Sequence, residues 1–324
     1  MNCLKRLIQI IKKSRRIVVA THIDPDADGI SAALSCGYLV KHYKQRRPKL
    51  FCHSRIPGKY NFVLGNWVFT RQLPEFDLLI AVDSAGLSRI FPDPDYLGPG
   101  VLESKCIVNI DHHKSNEAFG MLKIVKEDVS SACEIIYTIF KDLGVKIRKP
   151  LAEIFYCGIY GETGGFVYPN TTQESLTIAS ELVGLGVEPG SISKKLNAKT
   201  LNGTLLLSEV LKTIDIEDSV GVMHLTRNML KKCNAKMADS EHFVSFIQAI
   251  HNVRVSFFLR EEKKGTRVSL RSDGIIDVDK LAARFGGGGH RLAAGVRMKM
   301  SIHVAKKELL LAINREIRKQ RRNK

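Results

Sequence analysis

The 324-residue sequence predicts an α/β protein, with an N-terminal parallel-sheet domain and a smaller C-terminal α+β domain. Two patterns carry this prediction. Short apolar runs alternate with helical periodicity over the first half of the chain, which is typical of a parallel sheet covered on both faces. From about residue 187, strand pairs and a hairpin replace that alternation. At about 150 residues per domain, the length also suits two domains with separate cores.

The predicted elements of the first half follow in chain order. An amphipathic helix opens the chain. Buried strands are predicted over residues 16–21, 50–54, 78–83 and 106–111. Helices are predicted over residues 29–42, 130–143, 150–160 and 173–185.

The second half has a different order. Helices over 191–197 and 204–212 lead into a strand pair near 214–226 and a hairpin that turns at 263–265. A helix over 278–285, a glycine run, a strand over 295–300 and a basic helix complete the chain. We therefore expect a first domain over 1–187, a helical linker over 188–212 and a second domain over 213–324.

Composition narrows the classes of function. Hydrophobic residues at 44% and charged residues at 26% are typical of a globular protein and exclude a disordered one. No stretch approaches the roughly 20 uninterrupted apolar residues of a membrane span, so no membrane partner is expected. Seven scattered cysteines without a Cys-x-x-Cys pair favour free thiols and a cytoplasmic protein over a disulfide framework or a zinc ribbon.

The net charge of +17 is unevenly distributed. Residues 1–20, 41–74 and 297–324 hold 24 of the 50 Lys and Arg residues and only two of the 33 Asp and Glu residues. Basic segments around a slightly acidic body suit an anionic partner such as nucleic acid or nucleotides. Solvated surface charge is the alternative explanation for any single basic run.

Metal-type ligands follow three of the predicted strands. His22 and Asp26 come after the first strand, Asp83 ends the third, and Asp111-His112-His113 ends the fourth. Ligands bind beyond the carboxyl ends of parallel strands, so these side chains should meet at one edge. Turn chemistry or a helix cap at Asp83 would explain each group alone, but not all three together. The oxygen-rich set suits Mn²⁺ or Mg²⁺.

These residues lie in motifs that resemble those of the DHH phosphoesterases, named for the Asp-His-His triplet. THIDPDADG, AVD and NIDHHKSN are similar to the first three motifs, and GIYGETGGFVYPNTT is similar to the fourth. RFGGGGHRLAAG resembles the signature of the DHH-associated C-terminal domain. The layout most resembles the nano-RNase (oligoribonuclease) and pAp-phosphatase subfamily, and standalone cyclic-di-AMP and pApA phosphodiesterases share it.

The resemblance implies a site for two Mn²⁺ ions, with Mg²⁺ as a substitute, in a cleft between the domains. One ion would be held by His22, Asp26 and Asp83, and the other by Asp28, Asp83, His112 and Glu162. Asp83 would bridge the two ions. His113 would lie beside the scissile phosphate, and Asp111 would orient a histidine without touching the ions.

Two motifs depart from the family pattern. Where the fourth motif usually reads Thr-Asp-Thr-Gly, this chain has Gly161-Glu162-Thr163-Gly164. Glu162 keeps the carboxylate but adds a methylene, so its backbone must be set further from the ion. The first motif reads Asp-Ala-Asp-Gly from Asp26, whereas the subfamily usually has Asp-Gly-Asp-Ala.

The second domain is expected to bind substrate. Its glycine run can let backbone amides approach an anion as a phosphate-binding nest, or it can be a flexible turn. By the resemblance, the run belongs to a substrate-gripping loop and Arg271 grips a terminal phosphate. An exposed strand arginine is the alternative for Arg271. The expected substrate-binding residues are Arg271, Ser272, Gly286, Gly287, Gly288, Gly289 and His290.

The resemblance therefore implies a manganese-dependent phosphoesterase that acts on short single-stranded RNA (nanoRNA), dinucleotides such as pApA, and pAp. A hydroxide activated by two metal ions would attack phosphorus and release 5′-mononucleotides, and pAp would yield AMP. A cyclic-di-AMP phosphodiesterase is one alternative. A non-catalytic nucleotide- or RNA-binding protein, its second metal site impaired by Glu162, is another. Whether the chain forms a homodimer stays open.

Overall fold

Each half of the chain has its own six-stranded sheet. The computed structural model describes residues 3–93, 96 and 106–322, and the chain divides into two compact units, Met1–Ala198 and Lys199–Lys324. The first unit has a parallel sheet and the second a mixed one, so the predicted fold class is confirmed. No helix among the described residues has the length and apolar character to cross a membrane.

The first unit alternates strands and helices before it ends in four consecutive helices. Its elements are α1 (Cys3–Lys13), β1 (Ile17–Ala20), α2 (Ala27–Lys44), β2 (Lys49–Phe51), α3 (Asn61–Leu64), β3 (Phe69–Thr70), β4 (Leu78–Val82), β5 (Cys106–Asp111), β6 (Leu122–Val125), α4 (Ala132–Asp142), α5 (Lys149–Glu162), α6 (Gln173–Gly184) and α7 (Pro189–Asn197). The parallel sheet has the order β3-β2-β1-β4-β5-β6. Prediction missed β3 and β6 because both are edge strands, which are only partly buried and lack a long apolar run.

The strand order places a topological switch point between β1 and β4. The chain builds outward from β1 through β2 to β3, and then returns to start β4 on the other side of β1. The loops that leave β1 and β4 therefore diverge, and a crevice opens at the carboxyl ends of these strands. Both strands are buried along their whole length, which explains their continuous apolar sequences.

Two glycines bring α5 against the helices beside it. A Cβ atom on Gly161 would lie 2.3 Å from the Cβ of Ala27, and one on Gly158 would lie 2.3 Å from the Sγ of Cys133. No other residue type permits this approach without a shift of the helices. The C-terminal end of α5, which carries Glu162, is thereby held against the start of α2.

The second unit contains a mixed sheet with the order β11-β12-β10-β9-β8-β7, in which only β8 and β9 pair in parallel. Its elements are α8 (Leu201–Leu211), β7 (Asp215–Glu217), β8 (Val220–Leu225), α9 (Arg227–Lys232), α10 (Val244–Gln248), β9 (Val255–Glu262), β10 (Gly265–Ser272), α11 (Val278–Ala283), β11 (Gly288–His290), β12 (Ala293–Met298) and α12 (Ile302–Arg322). The strands β9 and β10 form the predicted hairpin, with Glu262 opposite Gly265.

Candidate metal centre

The ends of three adjacent strands bring the predicted ligands together. His22 follows β1, Asp83 follows β4, and Asp111-His112-His113 lies at the end of β5. Asp83 is 3% exposed and has a positive φ of 51°. Residues other than glycine rarely adopt this conformation, and such strain concentrates at functional sites. The strained turn after β4 therefore marks the centre of the cluster.

Asp83 lies between imidazoles on both sides. Its Oδ2 is 3.4 Å from the Nε2 of His22, and its Oδ1 is 3.5 Å from the Nε2 of His112. The described residues contain two groups that could hold an ion, His22 with Asp26 and Asp83, and Asp83 with His112 and His113. Within each group the ligand atoms lie within 4.8 Å of one another. The two groups share Asp83, the residue predicted to bridge two ions.

The ring nitrogens of His22 have separate partners. Its Nδ1 lies 2.8 Å from the carbonyl oxygen of Ile23, which can only accept a hydrogen bond, so Nδ1 carries a proton. Nε2 is therefore the nitrogen that faces Asp83 and Asp26. Burial lowers the pKa of His22, but the two carboxylates outweigh it and hold this pKa well above its ordinary value. The cluster therefore favours positive charge at this point.

Burial and neighbouring charges also shift the pKa values of His112 and Glu162. Burial lowers the pKa of His112, but the facing carboxylates, Asp83 foremost, raise it to about 10. Burial and the nearby carboxylate of Asp26 raise the pKa of Glu162 well above its ordinary value. Carboxylates crowded in this way repel one another until protons or cations compensate them.

The space in front of these donors is open because residue 29 is glycine. A Cβ there would lie 2.5 Å from the Thr21 Oγ1, 3.0 Å from the His22 Nε2 and 3.1 Å from the Asp83 Oδ2. Oxygen and imidazole donors without a thiolate are the ligands that Mn²⁺ and Mg²⁺ accept. The residues present therefore fit a divalent cation of this class.

Asp28 contacts both the cluster and the start of α4. Its Oδ2 lies 3.9 Å from the Nε2 of His112. The same oxygen accepts a hydrogen bond from the backbone N–H of Ala132 at 2.7 Å, and its Oδ1 accepts one from Cys133 at 3.0 Å. Burial, followed by repulsion from Asp83, raises the pKa of Asp28 to about 7. No sequence signal indicated this second contact, which joins residues 104 and 105 positions apart.

His113 is held by a hydrogen-bonded chain. Its Nδ1 lies 2.8 Å from the Oδ1 of Asp111, which is fully buried. The Oδ2 of Asp111 accepts a hydrogen bond from the Asn116 Nδ2 at 2.6 Å, and Asn116 also donates to the Ser84 carbonyl at 3.3 Å. Asp111 thus contacts a histidine, as the resemblance implies. Asn116 lies within the third motif, NIDHHKSN, and nothing in that motif indicates that it holds Asp111.

Asp28 and Glu162 stand apart from the tighter ligand groups. Neither belongs to the two groups whose donor atoms lie within 4.8 Å of one another. Glu162 is the last residue of α5, and the charges of His112 and three neighbouring aspartates, Asp26, Asp28 and Asp83, act on it. Glu162 therefore lies close enough to feel the charges of the cluster but outside its two tighter groups.

In the second unit, Arg271 and Ser272 are the last two residues of β10. The backbone amides of Gly274 and Ile276 donate to the Ser272 Oγ at 3.0 and 3.4 Å. Ser272 is 7% exposed, and because its hydroxyl accepts these two hydrogen bonds, it also holds the turn that follows the strand.

The glycine run, for which a phosphate-binding nest and a flexible turn were the alternatives, ends in a short strand. Gly288, Gly289 and His290 form β11, which pairs with β12. The amide of Gly286 donates to Ala283, that of Gly287 to Ala282, and that of Gly289 to the Asp279 Oδ1 at 2.8 Å. Residues of α11 therefore satisfy these three amides internally, and the part of the run in substrate binding stays a prediction.

Comparisons with known proteins agree with this architecture. The family model described as "DHH family, N-terminal domain" matches residues 16–159. The model described as "DHHA1 domain" matches residues 221–319. The chain is 30% identical over 305 residues to the bifunctional oligoribonuclease and PAP phosphatase NrnA of Thermus thermophilus, covering 93% of this chain and 90% of that protein.

Two solved structures are similar in fold. An exopolyphosphatase-related protein from Bacteroides fragilis is 26% identical, with a TM-score of 0.86, and the match covers 98% of this chain and 96% of that one. RecJ from Thermus thermophilus, crystallised with Mn²⁺, is 14% identical, with a TM-score of 0.55 over 99% of this chain and 55% of RecJ. Its likeness shows the fold alone. The chain belongs to the DHH family of phosphoesterases, which are hydrolases, and carries a C-terminal DHHA1 domain.

Proposed function

We propose that this protein is a manganese-dependent phosphoesterase that hydrolyses short oligoribonucleotides to 5′-mononucleotides and pAp to AMP. The observation that carries the proposal is Asp83, whose two oxygens face His22 on one side and His112 on the other at 3.4 and 3.5 Å. The name of the Thermus thermophilus relative joins both activities in one protein.

The metal ligands follow from the cluster. His22, Asp26 and Asp83 would hold one ion, and Asp28, Asp83, His112 and Glu162 the other. When bound, Mn²⁺ or Mg²⁺ would acidify a water molecule and neutralise charge on the phosphate. The protein contributes the spacing of the ligands, since Asp83 lies on a turn of positive φ and its two oxygens face His22 and His112.

His113 would contact the substrate phosphate. Asp111 holds its Nδ1 at 2.8 Å, so we assign the contact with phosphate to Nε2. Burial lowers the pKa of His113, but the hydrogen bond to Asp111 and the charge of Asp83 outweigh it and raise this pKa. A protonated ring would donate from Nε2 to a phosphate oxygen and stabilise the negative charge of the transition state. Asn116 acts indirectly, by holding Asp111 in place.

The second unit would hold the end of the substrate. Arg271 would grip a terminal phosphate as a bidentate fork, with Ser272 beside it and the segment Gly286, Gly287, Gly288, Gly289 and His290 supporting the same contact. Under this proposal, residues 1–187 perform the chemistry, residues 188–212 connect, and residues 213–324 bind substrate.

A hydrolysis panel tests the proposal. The purified chain is incubated with Mn²⁺ and pAp, pApA, a five-nucleotide RNA or cyclic-di-AMP, beside Asp83→Ala and the matched control Asp142→Ala. Asp142 is the exposed last residue of α4, roughly 15 Å of helix from the end that contacts Asp28. We expect turnover of the first three substrates, its loss in Asp83→Ala and its retention in the control.

The other outcomes contradict the proposal in different ways. Turnover of cyclic-di-AMP alone would indicate a cyclic-dinucleotide phosphodiesterase. Absence of turnover on all four substrates would indicate a nucleotide- or RNA-binding protein. Full manganese-dependent turnover in a folded Asp83→Ala variant would refute the assigned site.

A further inference from the structure

The two faces of the second sheet are packed differently. On one face, α11 and α12 cover the apolar residues of β9, β10 and β12, including Leu259, Val268 and Val296. On the other face, Phe258 of β9 packs with Leu206 and Val210 of α8 and with residues of α10. The side chains of β10 and β12 on this second face are polar or small. They alternate with the covered residues and are Arg267, Ser269, Arg271, Ala293, Gly295 and Arg297.

Three arginines from three strands lie side by side on this second face. In the register of the sheet, Arg267 of β10 is directly opposite Arg260 of β9 and directly opposite Arg297 of β12. Directly opposed side chains share a face with Cβ atoms about 5 Å apart, and like charges in such pairs destabilise a sheet. Arg271 lies four residues further along β10, on the same face. We call Arg260, Arg267, Arg271 and Arg297 the arginine strip.

Arg260 is the buried member of the strip. It is 6% exposed, its Nη2 donates to the Ser269 Oγ at 2.6 Å, and its guanidinium lies 5.3 Å from the centre of the Phe258 ring. Its Nε is buried without a hydrogen-bond partner. No carboxylate among the described residues forms an ion pair with it, although the charges of Glu241 and Glu262 act on it, and Arg267 lies directly opposite it on β10. A buried guanidinium with an unsatisfied donor costs stability until an anion pairs with it.

A carboxylate pairs with Arg297, at one end of the strip. The Nε of Arg297 lies 3.4 Å from an oxygen of Glu262. Burial, reinforced by the charge of Arg267, lowers the pKa of Arg260 to about 10. Arg267 is half-buried and forms no ion pair with a carboxylate of the described residues. Arg260 and Arg267 are thus two like charges that lie directly opposite each other, and neither forms an ion pair among the described residues.

The length of the strip indicates what kind of anion would bind. Four strand residues separate Arg267 from Arg271, about 13 Å along β10. Successive phosphates of one nucleic-acid strand can contact Arg267 and Arg271 separately, whereas one phosphate would reach both only if the two side chains extended toward each other along the strand. Guanidinium groups are suited to phosphate because their planar fork donates two parallel hydrogen bonds.

We propose that the arginine strip binds the phosphate backbone of a single-stranded oligonucleotide, with Arg267 and Arg260 holding a phosphate beyond the one at Arg271. This inference rests on the proposed function and deepens it, because it separates the two substrate classes. A five-nucleotide RNA extends along the strip and contacts Arg267. The single nucleoside of pAp is held at Arg271 and does not reach it.

Binding by the full-length protein tests the strip without hydrolysis. The probe is a fluorescein-labelled, 5′-phosphorylated five-nucleotide RNA in EDTA, followed by anisotropy over a range of salt concentrations. The variants are Arg267→Gln, Arg267→Lys and the control Arg315→Gln. Arg315 is exposed on α12, which covers the opposite face of the sheet. Melting temperatures check that each variant is folded.

We expect Arg267→Gln to weaken RNA binding about tenfold and to reduce the slope of log K against log salt by about 0.7, the value for one phosphate contact on a single strand. Arg267→Lys should keep the slope, and the control should match the wild type. In the hydrolysis assay, Arg267→Gln should raise KM for the five-nucleotide RNA and leave KM for pAp unchanged.

The two proposals fail separately. Wild-type affinity and slope in Arg267→Gln, an equal loss in Arg315→Gln, or no RNA binding by the wild type would overturn the strip, even if the enzyme hydrolyses pAp. A selective loss of binding in Arg267→Gln would support the strip even if the wild type hydrolysed none of the substrates, and the proposed function would then fail alone.

Discussion

Replacement of Asp28 by asparagine should destabilise the metal-free first unit, whereas the same change at Asp26 should not. Both oxygens of Asp28 accept backbone hydrogen bonds, from Ala132 at 2.7 Å and from Cys133 at 3.0 Å. Asparagine keeps one accepting oxygen but turns its amide N–H₂ toward the other backbone N–H. One buried N–H then loses its partner and faces a second donor.

The structure sets the size of the effect. A buried donor without a partner costs about 1–3 kcal/mol, so Asp28→Asn should reduce the free energy of unfolding by about 2 kcal/mol. In a unit of this size, that lowers the melting temperature by about 4–8 °C. Asp26 is half-exposed and caps α2 by accepting from the Gly29 amide at 3.0 Å. Asparagine caps a helix as well as aspartate, so Asp26→Asn should change stability by less than about 1 kcal/mol.

Urea unfolding followed by the fluorescence of Trp67 is the assay. Trp67 is the single tryptophan of the chain and is buried in the first unit, so its signal reports on that unit. Measurements in EDTA at pH 6 keep the charge contribution small, because burial and the neighbouring Asp83 raise the pKa of Asp28 to about 7. If Asp28→Asn were as stable as Asp26→Asn, the anchoring of α4 by this carboxylate would be refuted.

The remaining predictions concern activity and metal binding. Asp111→Asn should lower kcat at least 100-fold with little change in KM, because the ring of His113 loses the acceptor that fixes its tautomer; an unchanged kcat would contradict the assignment. Arg271→Ala should raise KM more than it lowers kcat, and the reverse result would argue against a binding role. Mn²⁺ at 100 times its Kd should stabilise the wild type by about 2.7 kcal/mol in calorimetry, and Asp83→Ala should lose this gain. Raising the salt concentration should increase KM for RNA more than it lowers kcat, since the basic segments attract the substrate at long range.

The sequence alone was sufficient to predict which residues of the candidate site lie at the strand ends. Parallel strands have their carboxyl ends at a common edge, so a polar residue directly after a buried apolar run must lie at that edge. His22, Asp83 and His112 each satisfy this condition, and the structure brings all three together. Their placement needed only the strand boundaries, which a run of buried apolar residues marks well.

Contacts between distant segments could not be predicted in this way. The hydrogen bonds that Asp28 accepts from the start of α4 join residues more than 100 positions apart, and their geometry depends on how α4 packs beside α2. The internal pairing of Gly289 with Asp279 is another example, because a run of glycines has no side chains to indicate its partner. Both depend on packing that forms only when the unit folds.

The charge of the chain also separates what the sequence determines from what the tertiary structure decides. The sequence by itself determined the net charge of +17 and the three basic segments, whose combined surplus of positive charge exceeds that value. Only the tertiary structure placed Arg267 directly opposite Arg260 and Arg297, since a shift of one residue in strand register would turn these side chains to the other face. The register of β9 with β10 is set at the hairpin turn, where Glu262 lies opposite Gly265, and that of β10 with β12 by hydrogen bonds between strands separated by α11 and β11. A count of charges therefore predicts an anionic partner, and the sheet decides where that partner can bind.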